Sequence, residues 1–299
     1  MNVRVARIAA VAAALLPFVV PTAAHAGYAD RIRATPGLEW YLPLDETTGR
    51  VHVDAVSGEN TGFAGSRVAL DQPGALAEPG NRAVRFLGGG SNAKSESRIA
   101  LSTWPTDDGK RPYSFEAWVQ VERTDSRSLR IYSDEDYMGG MLVAARDGQL
   151  VFSRYDSGLR FGAYPPDYLY GVYPMAPKRA TTLSAPVTLG VWTHVVATYD
   201  GERMRLFTDG VERASAPSTF TVSHEGMVYG GQAELGVRSA LFFDRRFWLE
   251  FRGSIDEPAL YRRALTPCEI MDHHRSAVAP PSYNSGQITV CGDVPPTNG

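Results

Sequence analysis

Short runs of alternating apolar and polar residues, separated by turn residues, occupy the chain from Leu38 to Arg262. The longest run covers residues 113–122, and its apolar members share one face of a predicted strand: Phe115, Ala117, Val119 and Val121. Shorter runs at 39–44 and 83–87 are also predicted to be strands. Because successive side chains of a strand point to opposite faces, this pattern predicts an all-β, two-sheet antiparallel sandwich.

Three Asp-Gly pairs mark tight turns between these strands. Asp147-Gly148 separates two apolar runs, while Asp200-Gly201 and Asp209-Gly210 bracket residues 203–208. Asp-Gly favours the positive backbone angles of a two-residue hairpin turn. The pairs therefore predict a hairpin and a three-strand meander over 193–214, with the aspartates as turn formers.

One helix is predicted near the C-terminus. Thr266-Pro267-Cys268-Glu269 has the composition of a capping box, with Thr as the N-cap, Pro at the first helical position and Glu at the third. The helix is expected to end near Arg275, before a tail rich in Pro, Ser and Gly. The predicted fold is thus a sandwich with one short C-terminal helix.

The N-terminus has the features of a cleaved signal peptide. Arg4 and Arg7 precede an apolar stretch over 8–20, and Ala24-His25-Ala26 offers a small-residue cleavage site. The stretch is shorter than the roughly 20 residues that span a bilayer. We therefore expect cleavage after Ala26, a secreted protein, and no membrane span after cleavage.

Charge and cysteine content bear on the class of partner and on a possible disulfide. The chain has 30 Lys and Arg against 33 Asp and Glu, and no basic cluster, which argues against a nucleic acid partner. Its two cysteines, Cys268 and Cys291, would meet an oxidising compartment. A structural disulfide that ties the tail to the helix start is expected, worth about 3 kcal/mol in the chain-entropy model. A redox pair or half of a metal site lacks supporting residues.

Several sequence stretches together resemble one family. They are Tyr41–Glu46 with Gly49 and Asp54–Gly58, Ser114–Val119, Trp192–Gly201 with Arg205–Gly210, Gly253–Glu257 and Tyr261–Leu265. Their order and spacing are similar to those of the concanavalin-A-like lectin/glucanase superfamily, in its laminin-G-like form. The resemblance implies a jelly roll over 38–276, with first and last strands adjacent, after a lead at 27–37 and before a tail at 277–299.

The same resemblance implies a structural calcium ion beside the first and last strands. The matching acids are Asp45 or Glu46, together with Asp256. Calcium takes several oxygen ligands, so backbone carbonyls and water would complete the shell. Alternatively, Asp256 and its neighbour only cap or salt-bridge the strand pair.

Motifs for catalysis are absent from the sequence. The alternating carboxylates that resembling β-glucanases carry do not occur, and the nearest acidic cluster, Asp134-Glu135-Asp136, is contiguous and is interpreted as a solvated loop. No G-x-S-x-G motif is present. His194 is expected to be a structural histidine, and the adjacent His273 and His274 do not share a helix face. These features favour a protein that is not an enzyme.

Aromatic residues supply the leading functional hypothesis. Sugars stack their apolar faces on aromatic rings, with polar groups fixing orientation. The candidate ligand-binding residues are Trp104, Tyr155, Tyr164, Tyr168, Tyr170 and Tyr173. We predict a secreted, non-catalytic carbohydrate-binding or adhesion module whose partner is a glycan or a cell-envelope component. A structural or protein-interaction domain and a divergent glycoside hydrolase stay open, because the fold alone does not decide function.

Overall fold

The computed structural model describes residues 27–88, 96–102, 109–135, 139–156, 179–222, 233–236 and 250–278. The strands of this part of the chain form two antiparallel sheets. Sheet A comprises β1 (Leu38–Tyr41), β4 (Val68–Pro73), β5 (Arg82–Phe86), β7 (Tyr113–Val121), β12 (Trp192–Tyr199), β13 (Arg203–Thr208), β14 (Val211–Pro217) and β16 (Gly253–Tyr261). Sheet B comprises β2 (Val51–Val53), β3 (Asn60–Ala64), β6 (Ile99–Leu101), β8 (Leu129–Glu135), β9 (Gly139–Arg146), β10 (Gln149–Asp156), β11 (Arg179–Pro186) and β15 (Glu234–Leu235). Two helices, α1 (Tyr28–Ala34) and α2 (Pro267–Val278), accompany them.

The topology is that of the predicted jelly-roll sandwich. Sheet A runs in the order β14-β13-β12-β7-β16-β5-β4, and sheet B in the order β11-β10-β9-β8-β15-β6-β3-β2. Strand β1 pairs with β16, so the first and last strands are adjacent, as expected. The predicted hairpin at Asp147 and the meander of β12, β13 and β14 are also confirmed, and Asp147 and Asp209 have φ angles of 48° and 51°.

The main core lies between the sheets and follows the alternation of β7. Its apolar face, from Phe115 to Val121, is fully buried among side chains from sheet B. Phe115 stacks on Tyr132 with ring centroids 4.4 Å apart and the ring planes at 6°. The predicted inward face of this strand is therefore confirmed.

The helices cover the other face of sheet A. As predicted, α2 begins with a capping box, in which the Glu269 amide donates to Thr266 Oγ1 and the Thr266 amide donates to the Glu269 carboxylate. It ends at Val278, slightly beyond the predicted end near Arg275. The helix α1 was not predicted, and it forms because Tyr28 and Ile32, one turn apart, bury completely against this sheet.

Some predictions fall outside the described residues. They concern the signal peptide at 1–26, Cys291, and the tail beyond residue 278. The disulfide of Cys268 and the cleavage after Ala26 therefore stay predictions. Neither described helix has the length and apolar character needed to cross a membrane.

Candidate functional site

The two outer faces of the sandwich differ in what they present. On sheet A, a second apolar cluster that includes Tyr28, Trp118, Phe207 and Ile270 fills the space beneath α1 and α2. On sheet B, the outer face of β11 is exposed at Ala180, Thr182 and Ser184. The outer face of sheet B is therefore open along β11, whereas Val151, on the same face of β10, is 2% exposed.

Tyr155 lies on this open surface. Along β10, Leu150 and Phe152 enter the core, so the alternation turns Ser153 and Tyr155 outward. The cross-strand neighbours of Tyr155 are Gly140 on β9 and Ala180 on β11. Neither of these directly opposite residues has a side chain larger than a methyl group, and the tyrosine itself is half-buried.

A pair of hydroxyl groups accompanies the tyrosine. Ser153 and Thr182 face each other across β10 and β11, and their side-chain oxygens are 2.9 Å apart. Each hydroxyl both donates and accepts hydrogen bonds. An aromatic ring and paired hydroxyls thus share one exposed face.

The inward residues of β10 hold this strand firmly. Arg154 is completely buried, donates to the carbonyl oxygens of Gly109 and Phe220, and lies 4.3 Å from the centroid of the Tyr199 ring. The next residue but one, Asp156, is paired with Arg179 at 3.1 Å. The outward tyrosine between them therefore projects from a backbone that is fixed on its inner side.

The other predicted ligand-binding residues cannot be placed on this surface. Trp104, Tyr164, Tyr168, Tyr170 and Tyr173 lie outside the described residues. Of the predicted aromatic set, Tyr155 alone belongs to the part of the chain that the structure describes. The others stay predictions.

The acidic cluster at 134–136 differs from its interpretation as a solvated loop. Asp134 belongs to β8 and is 1% exposed. It pairs in register with Met141, a core residue, so the strand carries this carboxylate inward. On neighbouring β15, Glu234 is equally buried and accepts a 2.6 Å hydrogen bond from Arg98.

The acids beside the first and last strands form a buried group. Asp256 Oδ2 accepts from the Ala75 amide at 2.8 Å, and Glu257 accepts from Tyr41 and from Asn81. A β-bulge lies between Asp256 and Ala259, both acids are buried, and Glu257 adopts a φ of 55°. Asp256 Oδ1 is buried without a hydrogen-bond partner in the structure.

Burial dominates the electrostatics of this group. It raises the pKa of Asp256 to about 8, although the Ala75 amide acts in the opposite direction. Burial, and next the charge of Asp256, raise the pKa of Glu257 well above its usual range. Burial also raises the pKa of Asp45, which accepts from the Arg82 amide at 2.7 Å. A nearby cation would relieve the cost of ionising these carboxylates.

The fit of a calcium ion to these residues is partial. Asp45 and Asp256 are close enough for their charges to interact, and Asp256 offers an unpartnered oxygen. Glu46, by contrast, is engaged by His52 Nδ1 at 2.7 Å and by the Val53 amide. Within the described residues, no group of three His, Cys, Asp or Glu side chains is arranged to hold a metal. Backbone oxygens and water would therefore have to supply most ligands.

A third polar group lies beneath the helices, around Glu116 on β7. Its carboxylate accepts hydrogen bonds from Tyr28, His194 and His273, all of them buried. The expectation that His194 is a structural histidine agrees with this contact. The convergence itself was missed, because the three partners lie 88, 78 and 157 residues from Glu116.

The fold has counterparts among known proteins. Residues 93–271 match the family model described as the concanavalin A-like lectin/glucanases superfamily, in its laminin-G form. This match covers more than half of the chain, and the protein belongs to that superfamily. No curated protein sequence matches the chain.

Several solved structures with the same fold are receptor- or ligand-binding domains of toxins. The binding domain of Paraclostridial Mosquitocidal Protein 1 aligns with a TM-score of 0.55 and 15% identity, over 80% of this chain and 52% of that one. The botulinum neurotoxin serotype D ligand binding domain, in complex with N-acetylneuraminic acid, aligns with a TM-score of 0.53 and 12% identity, over 80% and 50%. The chain spans about half the length of these structures.

Proposed function

We propose that this protein is a secreted, non-catalytic carbohydrate-binding module whose site lies on the outer face of β10 and β11. The observation that carries the proposal is the position of Tyr155, outward and half-buried between Gly140 and Ala180. A sugar ring needs an aromatic surface that bulky neighbours do not cover.

The hydroxyl pair supports the same ligand class. Ser153 and Thr182 lie one alternation step from Tyr155 and Ala180, on the same face. Hydroxyl groups match the mixed donor and acceptor character of sugar hydroxyls, whereas a purely apolar patch would favour a protein partner. The predicted aromatic residues at 164, 168, 170 and 173 lie between β10 and β11 in the sequence, outside the described residues, and stay predictions.

Two observations that do not concern the site itself also support the proposal: the predicted signal peptide and the ligand of a structure with the same fold. The predicted signal peptide would deliver the chain to glycans of the cell envelope or its surroundings. The serotype D domain of the same fold is described in complex with N-acetylneuraminic acid. This chain spans only half of that structure, so the particular sugar is left to experiment.

A glycan array with the purified full chain tests the proposal. The Tyr155→Ala variant and the Ser153→Ala/Thr182→Ala double variant should each lose at least about tenfold in affinity for any glycan that the wild type binds, because stacking and hydrogen bonds contribute on the order of 1–3 kcal/mol each. Phe63→Ala is the matched control, because Phe63 is 44% exposed on β3, near the other edge of sheet B.

Three outcomes of this experiment separate the alternatives. Binding that Tyr155→Ala abolishes and Phe63→Ala preserves supports the proposal. Glycans that are shortened during incubation would indicate the divergent hydrolase instead. An array without signal for the folded wild type would reject glycan binding and favour the structural or protein-interaction domain.

We also propose a structural calcium ion beside Asp256. The specific observation is a buried carboxylate oxygen without a partner, next to the carboxylate of Asp45. A calcium ion there would neutralise acids that burial otherwise makes costly to ionise, and it would stabilise the pairing of β1 with β16. Its effect would be on stability, which thermal unfolding with calcium and with a chelator measures.

A further inference from the structure

Three separate elements converge on the carboxylate of Glu116, in the middle of sheet A. The hydroxyl of Tyr28 on α1 donates at 2.8 Å, and His194 Nε2 on β12 lies 2.9 Å away. On α2, His273 Nδ1 lies 3.0 Å from the second carboxylate oxygen. Glu116 is thus the point at which both helices attach to the sheet.

The hydrogen bonds of Thr35 fix the protons on His273. Thr35 Oγ1 lies 2.8 Å from the carbonyl oxygen of Arg31 and 2.8 Å from His273 Nε2. A carbonyl oxygen only accepts, so the single hydroxyl proton of Thr35 is used there. His273 Nε2 must therefore donate to the threonine oxygen.

The opposite side of the same ring must donate as well. Burial opposes the ionisation of Glu116, but the charge of His273 and the hydrogen bonds from both histidines outweigh it and hold the pKa of Glu116 well below its usual range. An ionised carboxylate only accepts. His273 Nδ1 therefore donates to Glu116, and both ring nitrogens carry a proton.

We propose that His273 is an imidazolium in the folded protein, and that its second proton latches the C-terminal helix α2, and α1 through Thr35, onto the back of sheet A. The latch loosens as the medium becomes alkaline. This inference is independent of the proposed glycan site, which lies on sheet B.

The neighbouring groups identify His273 as the cation of the cluster. His194 Nδ1 is buried without a hydrogen-bond partner in the structure, so this ring contacts Glu116 through Nε2 alone. Burial, and next the neighbouring His194 ring, lower the pKa of His274, which stacks beside Trp118. For His273, burial is outweighed by Glu116, and its pKa is raised.

The remaining charged and titratable groups around the latch come from three elements. They are Tyr28 and Arg31 on α1, Glu269 and Asp272 on α2, and Tyr261 on β16. Arg31 lies 3.6 Å from Asp272 and forms a second link between the helices. The two acids of α2 add to the attraction on His273, as Glu116 does.

The direction of the pH effect follows from proton linkage. When the helix undocks, His273 returns to an ordinary pKa of about 6.5, so the undocked form holds fewer protons than the docked form above that pH. The contribution of His273 to docking is therefore greatest below about pH 6.5. Above that pH, the equilibrium constant for undocking of α2 rises by about tenfold per pH unit, up to the pKa of docked His273. Above that pKa the undocking constant levels off.

Two measurements on the full chain test the latch. Nitrogen-15 NMR of the histidine rings should show both nitrogens of His273 protonated at pH 6 and 7, and His274 should lose its second ring proton at a lower pH than His273. Amide hydrogen exchange, corrected for the intrinsic pH dependence, should show the protection of α2 falling by about tenfold per pH unit above pH 6.5. Amides of β9 on sheet B should keep their protection.

Variants separate the latch from general alkaline loosening. His273→Gln should abolish the pH dependence of α2 exchange, and His274→Gln, one residue along the helix, should preserve it. If His273→Gln does not fold, Thr35→Val tests the latch instead. Loss of the threonine oxygen that accepts from His273 Nε2 should move the midpoint of the His273 titration in the folded protein to lower pH by about one unit. A neutral His273 ring at pH 6, or an unchanged midpoint in Thr35→Val, would overturn the proposal.

Discussion

The hydroxyl of Tyr28 donates a 2.8 Å hydrogen bond to Glu116, joining α1 to β7 across 88 residues of sequence. Both side chains are fully buried. The segment just after the predicted cleavage site is therefore an integral part of the sandwich, although its sequence indicated only a lead to the first strand.

Replacement of Tyr28 by phenylalanine tests this attachment. Tyr28→Phe should lower the free energy of unfolding by about 1.5–3 kcal/mol, because the bond goes to a charged acceptor. Urea denaturation measures the change. Tyr199→Phe is the matched control, since its hydroxyl donates to the neutral carbonyl oxygens of Gly201 and Ser218 and should cost only about 0.5–1.5 kcal/mol. Equal losses would contradict a charged Glu116.

Replacement of Glu116 should be far more costly than replacement of Glu122, which lies six residues further along the chain, just after the end of β7. Glu116→Gln leaves the His273 cation buried and unpaired, which we expect to cost about 3–5 kcal/mol. Glu122 is partly exposed and pairs with Arg85, so Glu122→Gln should cost about 1 kcal/mol or less. Both values come from denaturant titrations at pH 6, and similar values for the two variants would argue against the buried ion pair.

Acid should weaken the wild type through Glu116. Its folded-state pKa is depressed, so its contribution is present above the ordinary carboxyl pKa of about 4.3 and is lost as pH falls below that value. Unfolding free energies measured from pH 6 down to pH 3 should therefore decline in the wild type. Glu116→Gln should decline less steeply, and parallel curves would show that other carboxylates cause the acid sensitivity.

Asp256→Asn tests the proposed calcium ion. Without calcium, the variant should be about as stable as the wild type at neutral pH, because burial raises the pKa of Asp256 to about 8 and the side chain is then as uncharged as the amide that replaces it. With millimolar calcium, the melting temperature of the wild type should rise and that of the variant should not. Differential scanning calorimetry with calcium and with chelator makes the comparison. A wild type that does not respond to calcium would remove the proposal.

The core between the sheets should be sensitive to loss of an aromatic ring. Phe115→Ala leaves Tyr132 without its stacking partner at 4.4 Å and should cost about 3–5 kcal/mol. Phe63→Ala, at a position 44% exposed, should change the stability by about 0.5 kcal/mol or less. Thermal unfolding monitored by circular dichroism ranks the two variants, and the reverse ranking would contradict the assigned core.

The sandwich was predictable because the sequence patterns that indicate its strands, turns and C-terminal helix are short-range. Alternation in β7, Asp-Gly turns and the Thr266–Glu269 capping box each act within a few residues. The helix α1 escaped prediction because only seven residues form it, and their helical state depends on burying Tyr28 and Ile32 against the sheet. The spacing of these two residues, one helical turn apart, is the signal that could have indicated it.

The polar sites depended on contacts that no local pattern contains. Glu116 and its partners come from four elements, and their roles emerge only when β7, β12 and both helices are assembled. Asp134 was misjudged for a related reason, because its burial follows from the extension of β8 opposite Met141. Tyr155 was selected for its residue type, and the small residues directly opposite it belong to other strands.

The pairing of β1 with β16 also determines when the molecule can form. A ribosome releases Trp40 and Tyr41 early, but their partners in β16 follow more than 200 residues later, near Leu260. The same late strand lies between β7 and β5, so the middle of the sheet stays open until then. A nascent chain of this protein must therefore be kept from misassociating until almost all of it has been synthesised, because the longest-range contacts close last.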